Sequence, residues 1–190
     1  MSHSRIDPQD TVILFADLQE GIVELTRTQP LERLKAAIRG LSKLAKLLGI
    51  PAVVTGVAGE GPAKMIPEIA EGLGELPTIH RTTCDSFLNE EILAAIEATG
   101  RKTLLISGVA TELAVQLPAL TASDSGYRVY VVLDACGGMS ERTEQAALLR
   151  IAKAGGTATS VTTLAGEMAG DFREPLAQQA IGILYEMAKA

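Results

Sequence analysis

The chain has 190 residues, 47% hydrophobic and 21% charged, which fits one folded domain and excludes a disordered or collagen-like chain. Its 17 basic and 23 acidic side chains leave a net charge of −6, and only 3% of residues are aromatic, with no Trp. It therefore lacks both the basic patch and the stacking platform that nucleic acid needs. No stretch free of Asp, Glu, Lys and Arg exceeds 13 residues (47–59 and 154–166), short of the ~20 a membrane helix requires. No apolar run follows Arg5, so no secretory signal is expected, and the composition points to a soluble, cytoplasmic protein.

β-branched runs alternate with helical patterns along the chain. Residues 11–17 (TVILFAD) are almost wholly apolar, as in a parallel strand covered on both faces. Leu31, Leu34, Ile38, Leu41, Leu44 and Leu48 recur at three- and four-residue steps, predicting an amphipathic helix closed by Gly49. A second strand is expected at 51–55, a short helix at 64–72 and a short strand at 77–80. Asn89, followed by Glu90 and Glu91, caps a helix that Gly100 ends. Residues 103–107 form the next strand, then 112–125 a helix that Pro118 should kink. Residues 128–134 read as a strand, Ser140 caps a helix to Ala154, and 157–161 form a weaker last strand before helical C-terminal patterns. This alternation predicts an α/β fold, a parallel sheet sandwiched by helices, with any site at the carboxyl ends of its strands.

Three polar clusters fall at those ends. Asp17, with Gln19 behind it, is either a turn residue or a carboxylate in an apolar rim suited to proton transfer. Arg81 ends the third strand and is either salt-bridged or functional. Gly108-Val-Ala-Thr-Glu runs from a strand into a helix, whose first N–H groups suit a developing anion. Cys84 and Cys136 make no metal or disulfide pattern, and a reactive thiol would need a nearby cation, which Arg81 supplies only to Cys84. His3 lies in a tail and His80 inside a strand; neither belongs to a metal-ligand spacing.

The order of these pieces resembles the isochorismatase-like, or cysteine hydrolase, superfamily. The matching features are Asp17-Leu-Gln19, Arg81 six residues before Phe87, Gly108-Val-Ala-Thr-Glu-Leu-Ala-Val, and Asp124-Ser-Gly-Tyr-Arg-Val-Tyr-Val-Val-Leu-Asp-Ala, spanning roughly residues 10–165. Arg81, and Leu117-Pro-Ala-Leu-Thr-Ala, look like its YcaC-like branch. The resemblance implies a three-layer α/β/α, Rossmann-like sandwich with a six-stranded parallel sheet, assembled as a homo-oligomer from dimer to octamer. It also implies a cis peptide between Val109 and Ala110, and an anion hole from the N–H groups of Ala110 and Ala114. Amidohydrolase members use a triad of Asp, Lys and Cys. Asp17 matches the aspartate, Arg81 stands where many members carry lysine, and Ala114 stands where the nucleophilic cysteine should fall.

A methyl group cannot attack a carbonyl, so the covalent route is closed at Ala114. The resemblance also covers isochorismatases, which lack that cysteine and hydrolyse a vinyl ether without a covalent intermediate. The expected function is therefore hydrolysis of a small-molecule substrate without a cysteine nucleophile. Asp17 would be the general acid/base and Arg81 a fixed cation, with Gln19 and Thr111 positioning groups nearby. Relocation of the nucleophile to Cys84 is a further possibility. The alternative from another class is a catalytically inactive ligand-binding or scaffolding protein of the same fold. The metal ligands of metal-dependent nicotinamidases have no match at 55–61, so neither a metal nor another cofactor is expected.

Overall fold

A computed structural model describes residues 5–59 and 61–189; the expectation for His3 lies outside them. Its six strands are β1 (Thr11–Ala16), β2 (Ala52–Val57), β3 (Thr78–Arg81), β4 (Thr103–Val109), β5 (Arg128–Gly137) and β6 (Thr157–Thr159). All pair in parallel in the order β3-β2-β1-β4-β5-β6. The order reverses between β1 and β4, which makes the carboxyl ends of those two strands the natural place for a site.

Every residue of β1 is buried, because both faces are covered. Ile13 and Phe15 face the cluster built with α1 (Leu31–Leu48), α2 (Pro67–Leu73), α6 (Val161–Ala169) and α7 (Pro175–Met187). Val12, Leu14 and Ala16 face the other cluster, built with α3 (Glu90–Glu97), α4 (Gln116–Asp124) and α5 (Glu141–Lys153). These layers form the expected three-layer α/β/α sandwich. No helix among the described residues is long and apolar enough to cross a membrane.

The helix ends follow the capping chemistry of the sequence. Asn89 accepts from the N–H groups of Glu91 and Ile92, and Ser140 from that of Thr143. Gly49 closes α1 in the left-handed region, at φ 65°. Two expectations need correction. The helix expected from Lys64 begins only at Pro67, because Met65 instead forms an antiparallel bridge with Gln19. The helix expected over 112–125 is two pieces, a π-helical turn at Thr111–Val115 and then α4. Pro118 therefore lies in the first turn of α4, where its missing N–H costs nothing, and the irregularity falls before it.

Candidate active site

Asp17 follows β1 with φ 57°, a left-handed conformation that Asp adopts more readily than most residues. Its N–H donates to the carbonyl of Thr55 at 3.1 Å, tying it to the end of β2. The Asp17 side chain is almost fully buried and takes Arg81 in a fork. Arg81 Nε donates to Oδ1 at 3.0 Å and Nη2 to Oδ2, while Thr55 Oγ1 donates to Oδ1 at 3.4 Å. The remaining arm of Arg81, Nη1, donates to the carbonyl of Thr83. Asp17 exposes 1% of its surface, Arg81 4% and Ala114 1%, so the three lie beneath the surface of the protomer. This planar, two-bond geometry is specific to a guanidinium; an ammonium makes only point contacts.

Gly108 lets the two central strands close at this point. A Cβ there would stand 2.5 Å from the carbonyl oxygen of Ala16 and 3.2 Å from Cγ2 of Val115. The turn after β4 thus packs down on the end of β1, with Ala114, Ala16 and Phe87 in one apolar cluster. The Val109–Ala110 peptide is cis. Within the turn, the N–H groups of Leu113 and Ala114 both donate to the carbonyl of Ala110, at 3.0 and 2.9 Å. The Ala114 N–H, expected to face an anion, is therefore directed into the turn, and an anion would have to share it.

The other expected residues hold the frame. Gln19 Oε1 accepts from the N–H of Val57 at 2.8 Å, fixing the end of β2 against the chain after β1. Thr111 is buried and its hydroxyl donates to Glu144 Oε1 at 2.7 Å. Two carboxylates complete the support of the turn: Glu112, the end of the third polar cluster, whose role the sequence did not show, and Glu144, which the sequence did not single out. Glu144 takes Thr111, and Glu112 accepts from the Met139 N–H at 3.0 Å and the Thr143 hydroxyl at 2.5 Å. The α5 N-cap sequence Ser140-Glu-Arg-Thr143 is the one trace of this arrangement in the sequence.

The cysteines stand apart from this chemistry. Cys136 is buried beside Gly108 in the β4–β5 register, and burial pushes its thiol far up, which keeps it protonated and inert. Cys84 is exposed, but the Arg81 donors serve Asp17 and Thr83. His80 is an exposed strand residue. Among the described residues no group of three or more His, Cys, Asp or Glu is arranged to hold a metal ion. A cavity of about 560 Å³ opens beside β2 and β3, lined by Glu20, Ala63, Lys64, Met65 and Thr78 among others; it reaches none of Asp17, Arg81 and Ala114.

Comparison with known proteins gives the chain its family. The sequence matches the isochorismatase domain over residues 11–163. It is 33% identical over 174 residues to the probable hydrolase YcaC of Escherichia coli, covering 90% of this chain and 84% of that one. A secreted isochorismatase effector of Phytophthora sojae is 29% identical over 180 residues, 90% of this chain and 82% of its own. The crystal structure of the E. coli YcaC gene product, described as an octameric hydrolase of unknown specificity, superposes with a TM-score of 0.92 at 31% identity, covering 100% of this chain and 93% of that one. YcaC from Pseudomonas aeruginosa, solved with hexane-2,5-diol and covalent acrylamide, gives 0.91 at 29% identity, covering 100% and 96%. With the strand order and a domain match over residues 11–163, the chain belongs to the isochorismatase-like hydrolase family, on its YcaC-like branch.

Proposed function

We propose that this protein hydrolyses a small molecule without a cysteine nucleophile, using water that Asp17 activates. The observation that carries this reading is the buried Asp17 carboxylate, held by the Arg81 fork at the β1 end of the sheet's switch point. With both oxygens accepting from a guanidinium, Asp17 is an acceptor, which makes it the base of the reaction rather than its first acid. A water beside the Ala114 methyl gives its proton to Asp17 as its oxygen bonds to the substrate carbon. The same proton then passes to the leaving group as the old bond breaks, and Asp17 returns to its starting state. Arg81 stays charged throughout and orients the carboxylate. Negative charge developing on the substrate is met by the N–H groups of Ala110 and Ala114, the latter moving off the Ala110 carbonyl. The reaction so drawn uses no cofactor, and the protein acts as a cytoplasmic homo-oligomer.

A second reading is favoured by one observation. Every donor of Arg81 described above is engaged and Ala114 offers only a methyl group, the arrangement of a structural ion pair in a catalytically silent ligand-binding or scaffolding protein. One screen separates the two. Wild type, Asp17→Ala and Ala114→Cys are assayed on small amides, ureides, esters and vinyl ethers, including isochorismate. Turnover by wild type that is lost in Asp17→Ala supports the water mechanism. Turnover that survives Asp17→Ala refutes it. A silent wild type beside an active Ala114→Cys variant moves the conclusion to the second reading.

A further inference from the structure

The cavity beside β2 and β3 takes no part in the hydrolysis proposed for Asp17, yet its size of about 560 Å³ is that of a small-molecule site. Its floor is apolar. Val54, Ile66 and Ile69 line it, and each exposes 4% of its surface or less. Other parts of the lining are charged. Glu20 and Lys64 face each other there, with Lys64 Nζ 2.6 Å from Glu20 Oε1 and side chains 49% and 76% exposed. Glu75, also exposed, adds a second carboxylate. A solvent-exposed pair contributes little to stability, so a ligand that supplies both charges replaces it at little cost.

That combination of charges selects a class of ligand. A simple carboxylate gains Lys64 but faces Glu20 and Glu75. A simple amine gains the two carboxylates but faces Lys64. An α-amino acid carries its ammonium and carboxylate on one carbon, close together as Glu20 and Lys64 are. The ammonium donates to the glutamate and the carboxylate accepts from the lysine, both as charge-assisted bonds. The side chain leaves the same carbon in a third direction, free to cover the apolar floor.

We propose that this cavity binds a free α-amino acid with an apolar side chain, held by Lys64 at its carboxylate and by Glu20 at its ammonium. The site is built on the chain that leaves Asp17. The Glu20 N–H donates to the Lys64 carbonyl at 2.9 Å, the Ile66 N–H to the Leu18 carbonyl at 3.0 Å, and Met65 bridges Gln19. Its readout is binding, so the proposal stands or falls independently of hydrolysis.

The test is titration calorimetry of the full chain with L-leucine, with isopentylamine, which lacks the carboxylate, and with 4-methylpentanoate, which lacks the ammonium. L-leucine should bind saturably, one per chain, with a Kd below ~1 mM, and each truncated probe roughly tenfold more weakly. L-phenylalanine, run alongside, covers a larger side chain. Glu20→Gln and Lys64→Gln, both at exposed positions, should each weaken the amino acid roughly tenfold. Ala70→Met puts a longer side chain on the α2 wall of the cavity and should also weaken it, with the far-ultraviolet circular dichroism unchanged. Lys46→Gln, on α1 and outside the lining, should change nothing. The proposal is overturned if neither amino acid binds at ~10 mM, or if the three leucine-derived probes bind equally, as bare apolar contact would have it. Wild-type affinity in both Glu20→Gln and Lys64→Gln also overturns it, since the amino acid then binds elsewhere.

Discussion

The buried pair of Asp17 and Arg81 is the feature whose energetics can be worked out most fully. Their side chains are 2% and 5% exposed, and three hydrogen bonds of the pair and its Thr83 anchor involve the guanidinium. Breaking such a pair on one side leaves the other charge in a medium that solvates it poorly, at about 3–5 kcal/mol. For a chain of 190 residues, each kcal/mol moves the midpoint by about 2–4 °C, so either single change should lower Tm by about 6–20 °C. Suitable variants are Asp17→Asn, since Asn also tolerates the φ of 57°, and Arg81→Met, which keeps most of the stem volume. The double variant D17N/R81M removes both charges and should cost less than either single change. Urea unfolding of all four proteins at one pH and one protein concentration gives the coupling energy directly. Single changes costing under ~1 kcal/mol, the value of a surface pair, would refute the reasoning. So would a double variant whose cost is the sum of its parts.

Two further outcomes are expected. Gly72→Ala should destabilise by about 1–3 kcal/mol, read as a lower urea midpoint, because its Cβ would sit 2.4 and 2.5 Å from the backbone of Ser42 and Lys43, forcing α1 and α2 apart; wild-type stability would show that the contact yields freely. Partial burial raises the Asp10 carboxyl, but hydrogen bonds from Arg128, Thr103 and the Lys102 N–H outweigh it and hold the group below its ordinary value of 3.8. A depressed carboxyl adds stability above its unfolded value and loses it as pH falls through its folded one. Asp10→Asn should therefore cost about 0.5 kcal/mol near neutrality after screening, a cost that holds down to about pH 5 and shrinks as pH falls through 3.8 and below; a cost independent of pH would assign it to lost hydrogen bonding alone.

The architecture was legible where one physical signal ruled. The apolar run of β1, the caps Asn89 and Ser140, and the glycine closing α1 each stand where the residues place them. Asp17 and Arg81 were legible as candidates because strand ends in a parallel sheet are set by where the apolar runs stop. Their forked geometry was not, since it joins residues 64 apart through side-chain directions that no local pattern encodes. The supporting roles of Glu112, named only as the end of a polar cluster, and of Glu144 were missed for the same reason: on helices they look like solvated charges, and only the crossing of α5 over the π turn makes them its supports.

The turn itself shows how a local rule can be right about the cause and wrong about the place. A proline ring crowds the carbonyl four residues before it, and four residues before Pro118 is Ala114. The chain meets that crowding by widening into a π turn over Thr111–Val115 and starting a regular helix only at Gln116. The bonds from Leu113 and Ala114 to the Ala110 carbonyl span three and four residues, the spacings of 3-10 and α helices, so the turn starts tight at Ala110 and widens only after it. The direction of the Ala114 donor is thus set from the N-terminal side, where the chain leaves β4, and the crowding by Pro118 acts on the residues that follow.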